Sequence, residues 1–186
     1  MLATERTIRI AGIANDSIVD GPGLRMAIFF QGCRRHCEGC HNSESWPIDG
    51  GGESKAETLY ACVKRNPLLT GVTFSGGEPL LRAGPLLPLA KGIRALGLDL
   101  AIYTGFTFEE ILADGDEDVL ALIGLASTLV DGPFVLSEKS LLLPFRGSQN
   151  QRILDIAQSL AEGCAVPTKD PAWGYGNKNL LREKAI

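Results

Sequence analysis

Three of the five cysteines lie within eight residues, as Cys33, Cys37 and Cys40 in a C-x3-C-x2-C arrangement. Three thiolates on one compact loop can hold three irons of a [4Fe–4S] cube, which leaves the fourth iron open to a substrate or cofactor. The alternative is a structural zinc site completed by His36 or His41. Because His41 directly follows Cys40 and no second cysteine pair follows, the spacing favours the cluster over zinc.

A second candidate site is the S-G-G-E-P turn at residues 75–79, which follows an apolar run at residues 71–74. Gly76 and Gly77 allow a ligand to approach the backbone closely. The carboxyl ends of parallel strands are also where α/β sheets and barrels bind ligands. By itself the turn is a weak signal, because Gly-Gly is common in loops and Glu78 with Pro79 would also suit the start of a helix.

The composition is that of one soluble globular domain, with 45% hydrophobic and 22% charged residues among 186. A net charge of −4 disfavours a protein that neutralises many nucleic-acid phosphates. The longest apolar stretch, near residues 119–130, is shorter than the ~20 residues of a membrane span, and residues 1–9 have no signal-peptide hydrophobic region. We therefore predict a cytoplasmic protein without nucleic-acid or membrane partners, where clustered cysteines bind metal rather than form disulfides.

The elements that must position these residues alternate between strand and helix patterns. Apolar runs predict strands over residues 7–13, 26–30, 71–74, 98–103, 128–131 and 134–136. Helical patterns cover residues 55–65, 80–96 and 108–123, and residues 153–160 suit either a helix or a strand. This alternation is typical of βαβ units and a parallel sheet.

Chain length limits how far such a sheet can extend. At about 30 residues per unit, 186 residues suffice for roughly six units, short of the ~250 of a closed eight-unit barrel. We predict an α/β fold, an open partial (βα) barrel of roughly four to six units with parallel strands. It would occupy residues 1–163, with residues 164–186 as a C-terminal tail or cover.

Several motifs resemble a known family. The cysteine triplet followed by G-G-E-P is similar to radical S-adenosylmethionine enzymes, and DGPGLR (20–25), FFQGC (29–33) and CHN (40–42) resemble the activases of glycyl-radical enzymes. Four further motifs resemble, within that family, the activating proteins of anaerobic ribonucleoside-triphosphate reductases. They are YTGFTFEE (103–110), LVDGPF (129–134), LPFRGS (143–148) and NQR (150–152). Gly39 stands where activases of pyruvate formate-lyase relatives often carry an aromatic residue.

The resemblance implies a [4Fe–4S] cluster on the three cysteines and S-adenosyl-L-methionine bound to the open iron through its amino group and carboxylate. An electron from the reduced cluster would cleave the sulfonium C–S bond and yield a 5′-deoxyadenosyl radical, while the protein binds the cofactor and excludes water. Thr104 is expected at the ribose or the methionine carboxylate. Arg146 is a candidate carboxylate partner because its fork matches two oxygens, although a loop arginine is more often a surface charge. The residues implied to contact the cofactor are Gly39, Cys40, His41, Gly76, Gly77, Glu78, Thr104 and Arg146.

The resemblance also implies a protein substrate, a glycyl-radical enzyme, expected to be anaerobic ribonucleotide reductase, and a reducing donor such as flavodoxin or ferredoxin. The partner's glycine must come within near-contact distance of the cofactor. We hypothesise that a turn lines the opening for its loop, through Asp20, Gly21, Pro22, Gly23 and Arg25. The alternative is an ordinary turn with Arg25 paired to a surface carboxylate. Two other functions stay open at this point: a radical enzyme acting on a peptide or small molecule, and a non-enzymatic iron–sulfur or zinc scaffold.

Overall fold

The computed structural model describes residues 7–174 of the chain. The predicted absence of a signal peptide concerns residues 1–9, of which 1–6 lie outside the described residues, as do residues 175–186 of the predicted tail. Seven strands form one sheet: β1 (Ile8–Ser17), β2 (Arg25–Phe30), β3 (Gly52–Ser54), β4 (Gly71–Gly76), β5 (Asp99–Tyr103), β6 (Thr128–Asp131) and β7 (Arg152–Asp155). Five α-helices accompany them: α1 (Ala56–Arg65), α2 (Ala83–Ala95), α3 (Phe108–Asp114), α4 (Glu117–Gly124) and α5 (Ile156–Glu162).

The sheet is mostly parallel at its centre and antiparallel at its sides. Its strand order is β3-β1-β2-β4-β5-β6-β7, in which β2, β4, β5 and β6 are parallel. Helices lie in each connection between consecutive parallel strands, which confirms the predicted α/β class. The strands β3 and β7 lie at opposite ends of the order, so the sheet is open, as expected. The predicted parallel strands form the centre of the sheet, and β1, β3 and β7 add antiparallel pairs at its two sides.

The two faces of the sheet pack differently because successive side chains of a strand point to opposite sides. Leu100 and Ile102 of β5 join the large core cluster that contains the buried faces of the helices. Their neighbour Ala101 belongs instead to a small cluster on the other face, with Val130 and Trp173 among its members. The second face therefore carries little apolar packing of its own, and this leaves space for a cavity above it.

Three predicted elements differ from the observed ones. The predicted strand at residues 134–136 is wrong: a short 3₁₀ helix forms at Leu136–Glu138, and the Val135 amide donates to the Ser148 hydroxyl rather than to a strand. The predicted helix 108–123 is interrupted at Gly115, whose φ of +67° ends α3. Asp116 then begins α4 by accepting from the Val119 amide. Residues 153–160 contain both the end of β7 and the start of α5.

The sequence segment assigned to a tail or cover packs against the domain as far as Gly174. Pro167 forms an isolated antiparallel bridge with Leu154 of β7. Trp173, at the end of a short 3₁₀ helix, is 2% exposed and lies in the small cluster. Within residues 7–174, no helix combines the length and the apolar composition that crossing a bilayer requires.

Candidate active site

A cavity of about 810 Å³ lies at the carboxyl ends of the parallel strands. Since these strands run in one direction, the loops that follow them meet at the same edge of the sheet. The loop after β2 carries the three cysteines, the turn after β4 carries the two glycines, and the loop after β5 carries Thr104. All three loops line the cavity, and so does the segment 139–147. The structure thus brings the two candidate sites of the sequence together.

All three cysteines of the triplet line the cavity, are partly buried and are free of disulfides. Burial raises the pKa of the Cys33 thiol, and the neighbouring Glu78 and Cys37 add to this effect. Among residues 7–174, no group of three His, Cys, Asp or Glu side chains has the arrangement that holds a single metal ion. Three soft sulfur donors spread around one cavity fit a cluster, in which each thiolate binds a different iron.

The two histidines of the zinc alternative make other contacts. His36 is exposed, and its ring stacks on Trp46 with 4.8 Å between centroids. His41 lies against Phe134, with ring centroids 5.7 Å apart. His41 also lines the cavity, next to Cys40, as the sequence led us to expect.

The cysteine loop, residues 31–42, is held from two sides. Its first amides donate to the following segment, from Gly32 to the Ser45 carbonyl at 2.7 Å and from Cys33 to the Trp46 carbonyl at 3.0 Å. On the other side Arg35 reaches the loop after β5. It pairs with Glu110 of α3 at 2.5 Å and lies over the Phe106 ring. The cysteines are therefore presented by a loop that is anchored to its neighbours along the cavity edge.

The two glycines after β4 are required by the backbone that passes beside them. Gly76 has a φ of +97°, and a Cβ there would lie 2.6 Å from the Phe30 nitrogen. A Cβ on Gly77 would lie 2.4 Å from the Gly32 carbonyl oxygen. The amides of Gly77 and Glu78 donate to Phe30 and Gly32, both at 2.8 Å. The end of β2 and the start of the cysteine loop thus lie close to both glycines, and the approach of a ligand stays a prediction.

Glu78 joins the ends of β4 and β5 through a buried network. Its carboxylate, 3% exposed, accepts from the Thr104 hydroxyl and the Gly105 amide at 2.8 Å each, and from the Leu80 amide at 3.1 Å. Burial raises the pKa of Glu78 to about 7, against the opposing effect of these hydrogen bonds and of Arg35. The Thr104 hydroxyl also accepts from the Phe106 amide, so its hydrogen bonds hold the loop rather than point away from it.

Arg146 and Gly39, the two other residues predicted to contact the cofactor, differ in whether they line the cavity. Arg146 lines the cavity, and its Nη1 donates to the Gln151 carbonyl at 2.8 Å. Gly39 is not among the lining residues; its φ is +71°, and a Cβ there would lie 2.8 Å from the Leu136 side chain. Gly39 therefore allows the loop after β6 to pack against the cysteine loop.

The hypothesis that Arg25 lines an opening for a partner is not supported by its position. Its side chain is 1% exposed and pairs with Asp99 at 2.7 Å. It also donates to Thr73 Oγ1 and to the Val72 carbonyl, at the amino end of β4 rather than the carboxyl end. Arg25 is thus a buried structural cation; it does pair with a carboxylate, as the alternative held, but only the Asp99 side of the pair, 34% exposed, reaches the surface.

Of the other residues in that turn, one lines the cavity and the others contact neighbouring residues. Asp20 lines the cavity. A Cβ on Gly21 would meet Arg25 and Trp173, and one on Gly23 would meet Thr70. Pro22 accepts a hydrogen bond from Arg25 through its carbonyl.

Sequence reasoning missed the residues just before this turn and several aromatic lining residues. Ile18 and Val19 line the cavity and are 71% and 73% exposed, although nothing in their local pattern marks them as functional. Phe29 also lines it, and this side chain was predictable from its alternate position in β2. Further missed lining residues are Arg35, Trp46, Tyr103, Phe134, Lys139, Leu141, Leu143, Phe145 and Gln151.

An open, mostly parallel α/β sheet presents a three-cysteine loop and a glycine turn at one cavity, an arrangement that suits an iron–sulfur cluster with one open iron. Comparison with known proteins agrees: residues 19–154 match the family model described as a 4Fe-4S single cluster domain. The anaerobic ribonucleoside-triphosphate reductase-activating protein of Escherichia coli K12 is 34% identical over 146 residues, which cover 72% of this chain and 90% of that protein. The corresponding protein of Vibrio cholerae is 31% identical over 144 residues, with 73% and 90% covered.

The pyruvate formate-lyase-activating enzyme of Clostridium pasteurianum is 42% identical over 117 residues. That match covers 58% of this chain and 49% of the enzyme, so the chain spans about half the length of this relative. Among solved structures, QueE from Escherichia coli resembles 54% of this chain and 53% of its own, with a TM-score of 0.47 and 22% identity. From the family match and the reductase-activating relatives, the chain belongs to the radical S-adenosylmethionine activating enzymes of glycyl-radical enzymes.

Proposed function

We propose that this chain binds S-adenosylmethionine beside a [4Fe–4S] cluster and installs a glycyl radical on anaerobic ribonucleotide reductase. The observation that carries the choice of partner is coverage. The chain matches 90% of the reductase-activating protein of Escherichia coli but only 49% of the pyruvate formate-lyase-activating enzyme. The matched region thus accounts for nearly the whole of the shorter relative and for about half of the longer one.

The residues that would hold the cluster are Cys33, Cys37 and Cys40, because they supply three thiols to one cavity. The two other cysteines are absent from its lining: Cys62 lies on α1 against the large core, and Cys164 is exposed after α5. When bound and reduced, the cluster would supply the one electron that breaks the sulfonium C–S bond of S-adenosylmethionine, giving methionine and a 5′-deoxyadenosyl radical.

The chain's own groups would bind and orient that cofactor. A cavity of about 810 Å³ is within the ~300–1,000 Å³ of small-molecule sites. Its wall includes Gly76, Gly77 and Arg146 as polar contacts and the ring of Phe29, which excludes water. Glu78 would act by holding the loop of Thr104 and Gly105 in place rather than by touching the cofactor, since its oxygens are already bonded.

The rim of the cavity suits a polypeptide substrate. Ile18, Val19 and Leu141 line it and are 71–88% exposed, so exposed apolar side chains from two segments lie at the cavity. Exposed apolar groups of this kind are typical of surfaces that contact another protein. The partner's glycine would enter here, because hydrogen transfer from its Cα requires near contact with the cofactor. The proposal includes flavodoxin or ferredoxin as the electron donor and the cytoplasm as the reducing compartment.

The test is an anaerobic incubation of the reconstituted, reduced protein with S-adenosylmethionine and anaerobic ribonucleotide reductase. Electron paramagnetic resonance should show a glycyl-radical doublet, and a reductase whose radical glycine is replaced by alanine should show none. Pyruvate formate-lyase serves as the competing substrate. If only pyruvate formate-lyase acquires the doublet, the partner is wrong. If neither does, while the cofactor is cleaved and a peptide or metabolite is consumed, the protein is a radical enzyme of another class.

A further inference from the structure

One backbone position in the cavity wall is conformationally unfavourable. Phe145 has a φ of +55°, in the left-handed region that bulky side chains rarely adopt. It directly precedes Arg146, and both residues line the cavity. Such a conformation persists only where surrounding contacts hold it, and it commonly marks a functional site.

Two side chains from outside this segment hold Phe145. The Tyr103 hydroxyl, at the end of β5, donates to the Phe145 carbonyl at 2.8 Å. The Trp173 ring packs edge-on against the Phe145 ring, with 5.4 Å between centroids and an interplanar angle of 77°. One contact fixes the backbone and the other fixes the side chain of the same residue.

Trp173 is itself rigidly placed. It is 2% exposed, and the Arg25 guanidinium lies 5.9 Å from its ring centroid. The next residue, Gly174, lies against Pro144 so closely that a Cβ would be 2.4 Å from Pro144 Cγ. The segment after α5 therefore contacts the 143–147 turn at both Pro144 and Phe145.

We propose that Tyr103 and Trp173 are positioning residues that hold the 143–147 turn so that Arg146 faces the cofactor. The inference rests on the proposed function, since it assumes that Arg146 contacts S-adenosylmethionine. Neither residue needs to touch the cofactor for this role. Their effect is exerted on the Phe145 backbone, and through it on the direction of the next side chain.

The test uses the anaerobically purified full chain and three variants. Tyr103→Phe removes only the hydroxyl, and Trp173→Leu removes the ring while keeping an apolar side chain. The matched control is Tyr60→Phe on α1, which packs against Gly92 far along the chain from the turn. Hydrogen exchange of residues 143–149, measured without S-adenosylmethionine, should rise about three- to tenfold in the first two variants and stay unchanged in the control.

A second measurement separates positioning from general stability. In Tyr103→Phe and Trp173→Leu the KM for S-adenosylmethionine should rise about three- to tenfold, while kcat for its cleavage at saturation stays within twofold. Unchanged exchange in both variants overturns the inference, as does raised exchange with an unchanged KM. If the wild-type chain fails to cleave S-adenosylmethionine at all, the proposed function fails, and the exchange data still decide whether this pair holds the turn.

Discussion

Replacing Glu78 with glutamine tests the electrostatics of the cavity wall. Burial raises the pKa of Glu78 from 4.5 to about 7. Because the folded chain keeps this proton to a higher pH than the unfolded chain, folding becomes less favourable as the pH rises from 4.5 to about 7, and no further loss occurs above that. At about 1.4 kcal/mol per pH unit, the difference corresponds to about 3 kcal/mol of lost stability.

Glutamine removes this pH dependence but carries two N–H donors, one more than the protonated carboxyl, where the structure supplies only donors. The carboxylate accepts from Leu80, Thr104 and Gly105. In either orientation the glutamine NH₂ group faces a backbone N–H, which costs about 1–3 kcal/mol. We expect Glu78→Gln to be about 1 kcal/mol less stable than wild type at pH 5 and equally or more stable at pH 8, a relative change of about 2–3 kcal/mol.

The assay is urea unfolding of the metal-free, reduced chain between pH 5 and pH 8, so that cluster loss does not contribute to the free energy of unfolding. Glu57→Gln, at an exposed position in the first turn of α1, is the matched control, with an expected difference from wild type below about 0.5 kcal/mol at every pH. A difference between wild type and Glu78→Gln that is constant with pH would refute the reasoning. If the free energy of unfolding of wild type instead rises relative to that of Glu78→Gln as the pH rises, hydrogen bonding rather than burial controls the pKa of the Glu78 carboxyl.

Three further predictions concern the cluster loop and the core. Anaerobic reconstitution should load about four irons per chain, lost in Cys33→Ala and retained in Cys164→Ala; stoichiometric zinc without iron uptake would contradict the cluster assignment. Gly77→Ala should lower the free energy of unfolding by about 1–3 kcal/mol and reduce iron loading, because the added Cβ would collide with the backbone of the cysteine loop. The control is Gly12→Ala, which has open space around its Cβ and should not change iron loading. Phe74→Ala removes a fully buried ring from the large core and should cost about 3–5 kcal/mol in urea unfolding; a loss below 1 kcal/mol would contradict the packing.

Local patterns in the sequence were enough to predict the parts of the site that depend on neighbouring residues. The cysteine spacing is confined to one loop, and the apolar run before Gly76 predicted both the strand β4 and the site at its end. Parallel strands then bring such ends together without any further information. The same local logic also identified Gly77 as a position of close approach, although not which group approaches it.

Contacts between distant parts of the chain were not predictable in this way. Arg25 is buried because Asp99, 74 residues later, neutralises it, and no local pattern links the two. The unfavourable conformation of Phe145 depends on Tyr103 and Trp173, which lie on either side of it in sequence. A single glycine, Gly115, interrupts a helix whose apolar period continues across it, so periodicity alone extended the prediction too far.

The contact between Trp173 and Arg25 also sets an order of events during protein synthesis. These residues are separated by 148 positions, so at about 5–20 residues per second the ring emerges roughly 7–30 s after the arginine. On the helix-covered face, α1 and α2 contact each other within residues 56–95 and can assemble earlier. The Trp173 contacts on that face of the sheet are therefore completed late, after residue 173 has left the ribosome.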